Sequence, residues 1–241
     1  MNKKDFAEIL NKGLENMGLN TSDKLEDQLY LYLQFLIEEN KKYNLTAIEE
    51  EEEVIRKHFL DSLVLFKKIN IKEEASIIDI GTGAGFPGLV LKIYRPDLKI
   101  LLLDSLAKRV RFLNTLINKL NLEGIEAVHG RAEDIADDKS HRENYDLAVS
   151  RAVAPINILS EYTIPFVMTG GSIVFYKGPD YQAELEEGKN AINILGGDVS
   201  DIYNVEIPKL IGERFLIIID KIRDTASKYP RRTGIPKKRP L

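Results

Sequence analysis

A strand that runs straight into a glycine loop constrains this chain more than any other feature. Residues 77 to 88 read Ile-Ile-Asp-Ile-Gly-Thr-Gly-Ala-Gly-Phe-Pro-Gly. Ile77, Ile78 and Ile80 form a short β-branched apolar run, which suits a strand buried in a sheet. The run stops at Gly81, and Gly83 and Gly85 follow at alternate positions. Glycine carries no Cβ, so the chain can turn sharply and a ligand can lie against the backbone. Pro87 comes next, and proline is favoured in the first turn of a helix. Strand, glycine loop and helix form the layout of a nucleotide pocket at the carboxyl edge of a parallel sheet.

Residues 83 to 88 also satisfy G-x-G-x-x-G, a weak signal on its own. Two acids sharpen it. Asp79 sits just before the glycines, and Asp104 ends the next apolar run, Ile100-Leu101-Leu102-Leu103. In a doubly wound sheet the second acid reaches both hydroxyls of an adenosine ribose, because a carboxylate accepts from both at once. The first acid points into the loop, where a free amino group or the loop's own N–H groups can use it. A dinucleotide places its pyrophosphate at this helix N-terminus and has no use for an extra anion there. D-x-G-x-G-x-G resembles the first motif of the S-adenosylmethionine methyltransferases. A nicotinamide site, resting only on Gly83-x-Gly85-x-x-Gly88, and a glycine turn without a ligand are the alternatives.

At 241 residues the chain is long enough for one large domain or one domain with an added subdomain. It has no cysteine, which excludes a disulfide framework and any thiolate nucleophile or metal site. His58, His129 and His141 are scattered, so no metal is expected. No apolar run approaches the ~20 residues of a membrane span. A cytoplasmic monomer without membrane contact is the expectation. Net charge is −4, which argues against a global attraction to nucleic acid. From Lys221 onward, however, there are eight Lys or Arg and one acid, Asp224. Such a tail is either a local polyanion contact or a solvated terminus, and composition does not choose between them.

The order of elements is plain. Residues 1–70 read as a helical N-terminal extension packed on the main domain, with an N-cap at Thr21-Ser22-Asp23 and a third helix through Val54, His58, Phe59, Leu63 and Phe66. From Ser76 the pattern alternates. Strands are expected at 77–80, 100–103, 125–129, 147–150 and 172–177. Helices are expected at 87–94, 107–120, 156–167 and 181–195. Two further strands, 199–207 and 215–222, flank a short connection at 208–213. A connection that short suits a hairpin, since a parallel crossover needs a dozen or more residues. The fold class is therefore α/β, Rossmann-like: a mostly parallel sheet ending in an antiparallel hairpin, as in class I methyltransferases. The main domain spans 71–226 and the basic tail 227–241.

The motifs then become specific. They are Asn44-Leu45-Thr46-Ala47, Arg56 through Leu63, Asp79 through Gly88, Leu102-Leu103-Asp104-Ser105, Lys108-Arg109, Gly130-Arg131-Ala132-Glu133, Ser150-Arg151-Ala152, Tyr176-Lys177-Gly178 and Lys228-Tyr229-Pro230-Arg231-Arg232. Together they resemble the bacterial 16S rRNA guanine-N7 methyltransferase G family, also called glucose-inhibited division protein B. The resemblance runs from about Asn40 to Leu241. It implies an S-adenosyl-L-methionine-dependent enzyme that forms N7-methylguanosine in the decoding-centre loop of 16S rRNA, on naked RNA or a small-subunit particle. A small-molecule methyltransferase on the same fold is the nearest alternative and would not need the tail.

The resemblance also implies roles. Asp79 anchors the donor's methionine end or orders the loop, and Gly81, Gly83 and Gly85 let the backbone approach. Phe86 packs beside the donor. Asp104 takes the ribose hydroxyls, Ser105 and Leu106 shape the adenosine pocket, and Ala132-Glu133 reads adenine. Arg151 faces the pocket mouth and stands beside both donor and reaction. Arg131 and Lys177 end strands on the same edge, where either can hold phosphate or guanine O6. Lys108, Arg109, Arg231, Arg232, Lys237, Lys238 and Arg239 are the candidate RNA contacts, with Pro230, Pro236 and Pro240 keeping the tail extended. His58 reads as a satisfied, half-buried side chain.

Overall fold

The computed structural model describes residues 1–207 and 212–241. Seven strands form one sheet in the order β3-β2-β1-β4-β5-β7-β6. They are β1 (Ser76–Ile80), β2 (Lys99–Asp104), β3 (Ile125–His129), β4 (Tyr145–Arg151), β5 (Val167–Lys177), β6 (Gly197–Val205) and β7 (Arg214–Lys221). β1 pairs in parallel with β2 and β4, β2 with β3, and β4 with β5. β7 is antiparallel to both β5 and β6. This is the mostly parallel sheet with an antiparallel end that the short connection predicts. Part of that connection, 208–211, lies outside the described residues. The chain reverses at β1, running outward through β2 and β3 and then back through β4, so the glycine loop after β1 sits at the switch point where ligands bind such sheets.

The strands alternate between two cores because successive side chains point to opposite faces. Ile77, Leu102, Val149, Val174 and Ile218 face one layer. Ile78, Leu103, Ala148, Phe175 and Ile217 face the other. The first layer is covered by α1 (Lys3–Asn16), α2 (Asp23–Tyr43), α5 (Gly88–Tyr94) and α6 (Ala107–Lys119). Phe6, Leu10 and Leu14 of α1 and Leu29, Leu33 and Leu36 of α2 are fully buried there. Each such side chain contributes roughly 1.5–3 kcal/mol of burial, so the helical extension is bound to the sheet by one continuous core. The second layer carries α8 (Ile156–Thr163) and α9 (Tyr181–Leu195). Ser22 caps α2 as its sequence promises, its hydroxyl accepting from Leu25 N–H at 3.2 Å.

Several elements depart from their sequence reading. The third N-terminal helix is not uniform: α3 (Glu51–Val54) widens into a π-helical turn, Ile55–Leu60, before α4 (Asp61–Leu63). Such widened turns gather at functional sites. The expected helix 156–167 stops at Thr163 and tightens into a 3₁₀ turn, Ile164–Phe166, because Pro165 has no N–H to continue the ladder. β5 begins at Val167, five residues earlier than its apolar run suggests, with a register shift against β4. The tail is not an extended arm. Tyr229, Pro230 and Pro236 are buried, and α10 (Ile235–Lys238) forms one short turn. No described helix is long and apolar enough to cross a membrane.

Candidate active site

The carboxyl ends of β1, β2, β3, β4 and β5 meet along one edge of the sheet. Gly81 leaves β1 at φ +70, and a Cβ there would meet Val153 Cγ2 at 2.4 Å. Gly85, at φ +107, would place a Cβ 2.6 Å from the Tyr32 hydroxyl. Only glycine fits these two left-handed, crowded positions. Gly83 N–H donates to Asp104 Oδ2 at 2.9 Å, which locks the loop to the end of β2.

Asp79 is fully buried at the end of β1 and accepts from Gly88 N–H at 2.8 Å. The Thr82 hydroxyl also donates toward the carboxyl, which partly offsets the cost of its burial. Burial pushes the Asp79 carboxyl up to about 6. Asp104 is 3 % exposed. Besides Gly83 it accepts from Leu106 N–H at 2.8 Å and from Arg109 Nη1 at 3.3 Å. A carboxylate has about four acceptor sites, so one remains. Gly81, Asp104, Ser105, Arg131, Ala132 and Glu133 line a narrow cleft of about 90 Å³, closed on one side by Val153 and Tyr162.

A second basin of about 540 Å³ adjoins it, and Val153 lines both. Lys57, Arg151, Lys177 and Arg214 bring four cations to this basin against Asp61 and Glu184. Arg151 Nη1 donates to Lys57 O at 3.1 Å and to Asp61 Oδ2, and Nη2 reaches His58 Nδ1 at 3.1 Å. His58 is pushed down to about 3 by burial and by the Arg151 charge. It is therefore neutral, with Nδ1 accepting from Arg151 and Nε2–H donating to Thr46 Oγ1 at 3.0 Å. Thr46 in turn takes Ile48 N–H at 3.1 Å, while Asn40 Oδ1 holds the N–H groups of Leu45 and Thr46 at 2.7 and 2.9 Å. The first two motifs of the extension thus converge on the strand-end arginine.

The structure sorts the sequence-derived residues. Asp79, Gly81, Gly83, Gly85, Asp104, Ser105, Ala132, Glu133 and Arg131 gather around the narrow cleft and its loop, and Arg151 and Lys177 line the basin. Leu106 is 43 % exposed and acts through its backbone N–H. Phe86 does not stand free beside a donor. It is buried and stacks on His58 at 4.3 Å and Tyr32 at 5.3 Å, which pins the glycine loop to the helical extension. Lys177 is held by Ala154 O at 2.8 Å and Glu184 at 2.6 Å. Among the expected RNA contacts, Arg109 is drawn to Asp104 and Lys108 donates to Tyr43 O at 2.7 Å. Arg231 is already engaged: its guanidinium grips fully buried Glu161 at 2.6 and 3.0 Å. Arg232, Lys237, Lys238 and Arg239 remain exposed.

Asp61, Arg214, Lys57, Val153 and Tyr162 line the site without having been singled out as site residues. Lys57 and Asp61 lie inside the motif Arg56 through Leu63, and that is their signal in the sequence. Arg214 enters from β7, whose position beside β5 no local pattern reveals.

The glycine loop, the two strand-end acids and the sheet order define a class I S-adenosylmethionine-dependent methyltransferase. Solved structures agree on the fold. A precorrin-6y C5,15-methyltransferase from Geobacter metallireducens superposes with a TM-score of 0.52 at 15 % identity, covering 66 % of this chain and 86 % of that one. M. jannaschii TYW2, solved in complex with AdoMet, gives a TM-score of 0.51 at 15 % identity over 63 % of this chain and 71 % of that one. The family model for rRNA small subunit methyltransferase G matches residues 25–211. Ribosomal RNA small subunit methyltransferase G of Clostridium botulinum (strain ATCC 19397 / Type A) is 48 % identical over 98 % of this chain and 99 % of its own. Its namesake in Alkaliphilus metalliredigens is 48 % identical over 97 % and 98 %. The chain belongs to the rRNA small subunit methyltransferase G family.

Proposed function

We propose that this enzyme transfers the methyl group of S-adenosylmethionine to N7 of a guanine in the decoding-centre loop of 16S rRNA. The observation that carries the reading is a cation-lined basin beside the donor cleft in which no described side chain is free to act as a base. His58 is neutral with both ring nitrogens engaged, Asp61 is shared by Arg151 and Arg214, and Glu184 is paired with Lys177. Guanine N7 already carries an accepting lone pair, so attack on a methyl carbon requires no proton removal. The basin's cations suit phosphate and guanine O6.

The donor fits the cleft chemically. Asp79 is a fully buried carboxyl held by Gly88 N–H and Thr82, with no ion pair among the described residues, and a bound ammonium would supply the missing charge. Asp104 keeps an acceptor site for ribose. At about 90 Å³ the cleft is smaller than the roughly 300–1,000 Å³ of most ligand sites. Val153 lines both the cleft and the basin, so its withdrawal on donor binding would join the two. The donor, when bound, supplies the electrophilic methyl group. The chain's own contribution is alignment: the glycine loop fixes one reactant and Arg151 with Lys177 fix the other, and proximity of this kind can supply roughly 7–11 kcal/mol at best.

The expected pH behaviour has two parts. Single-turnover methylation at saturating donor should be nearly flat from about pH 6 to 9. A bell-shaped rate profile would reveal a missed acid or base. Donor affinity should fall as pH drops through about 6, because Asp79 then takes a proton and loses its attraction for the ammonium. The sign for stability is opposite. A carboxyl raised in the folded state contributes stability at low pH that is lost as pH rises through about 6. Asp79→Asn should therefore melt higher than wild type at pH 8 without donor, yet bind donor more weakly. Unchanged donor binding in that variant counts against the ammonium role.

A further inference from the structure

The tail lies against the donor cleft. Gly234 N–H donates to Glu133 Oε1 at 3.0 Å, and the Thr233 hydroxyl donates to Asp134 Oδ1. Glu133 is 5 % exposed and lines the narrow cleft beside Ala132 and Tyr162. It sits on α7 (Ala132–Ile135), a single turn with no side-chain cap. One turn cannot hold a side chain rigidly by its own hydrogen bonds. The tail does it instead, and it is fastened at several points. Arg142 donates to Tyr229 O and Thr225 O, both at 2.8 Å. Arg231 takes Glu161 through its backbone N–H at 2.7 Å as well as its guanidinium. Tyr229 is buried in the second core, and Leu241 packs against the same cluster.

We propose that residues 229–241 back the donor pocket from outside, with Gly234 as the positioning residue that fixes Glu133 for the donor's adenosine end and Thr233 holding the neighbouring Asp134. This rests on the reading that the narrow cleft holds the donor. It changes what the tail is for. Its exposed cations, Arg232, Lys237, Lys238 and Arg239, stand on the same segment that holds Glu133. RNA engaged by the tail would therefore also stiffen the donor pocket.

A double-mutant cycle on the full chain tests it, with S-adenosylmethionine affinity read by calorimetry. Glu133→Gln and Gly234→Pro should each weaken binding about tenfold, the scale of one hydrogen bond to a charged group. The double variant should be no weaker than Glu133→Gln alone, because the tail acts through that side chain. Gly234 stands at φ +82, which proline cannot adopt, so Gly234→Pro releases the turn that carries this N–H and lowers the melting temperature somewhat, while the Arg231–Glu161 clamp keeps the rest of the tail in place. If Glu133→Gln binds normally, the donor assignment of the cleft wall fails. If Glu133→Gln is weakened while Gly234→Pro is not, or if the two effects simply add, the tail proposal is overturned and the donor assignment stands. A measurement on the unaltered chain covers the case in which Gly234→Pro folds poorly. S-adenosylhomocysteine should slow hydrogen exchange at the amides of residues 231–235, and unchanged exchange there overturns the coupling.

Discussion

Arg151→Ala is expected to lose methylation and to lower the melting temperature by roughly 6–20 °C. The stability loss follows from Asp61, which is 2 % exposed. Without Arg151 its one cationic neighbour among the described residues is Arg214, at 3.5 Å. A buried charge stripped of its partner costs about 3–5 kcal/mol, and for a chain of this length each kcal/mol moves the melting point by about 2–4 °C. The activity loss has a separate cause. The Arg151 fork is held by Lys57 O, Asp61 and His58, with Cζ 5.3 Å over the Phe86 ring, so it is fixed before substrate arrives. Lysine keeps the charge without the planar fork, so Arg151→Lys should retain more stability than activity. The double change Arg151→Met with Asp61→Asn removes both buried charges and should recover much of the melting temperature. Single-turnover methylation by that double variant at saturating donor is the deciding measurement. A wild-type rate would mean that the arginine serves only the fold.

Asp104→Ala is expected to weaken S-adenosylmethionine binding by about 1.5–3 kcal/mol, or roughly 10- to 150-fold, the range for losing hydrogen bonds to a charged acceptor. The sequence alone places this acid at a pocket mouth, where its removal should leave the fold intact. Its surroundings add a stability loss. The carboxylate closes the glycine loop through Gly83 N–H, starts α6 through Leu106 N–H and balances Arg109. All three would lose their acceptor at once. Asp104→Asn keeps an acceptor oxygen without the charge and should fall between. Calorimetry separates the effects, because affinity is measured only on the folded fraction. Donor affinity unchanged in Asp104→Ala would refute the ribose assignment.

Much of the architecture is written locally. The isoleucines of β1, the leucines of β2 and the glycines between them specify a buried strand and a tight turn whatever surrounds them, and β3 and α9 begin and end where their patterns do. The antiparallel end follows from the shortness of one connection. Local pattern failed where backbone chemistry intervened, at the π-helical turn of 55–60 and at Pro165.

The sequence by itself determined the sheet, the glycine loop and the two acids that face it, because each rests on short-range rules of side-chain period, Cβ sterics and strand-end position. What only the tertiary structure decided is which charges are free. Lys108, Arg109, Lys177 and Arg231 look alike as basic residues near motifs. Folding brings Arg231 to Glu161, 70 positions away, and Arg151 to His58 and Asp61, 93 and 90 positions away. Ion pairs of such separation leave no periodic trace in the chain. Their partners are chosen by strand order and layer packing, and burial then fixes whether a charge serves the fold or stays available to substrate.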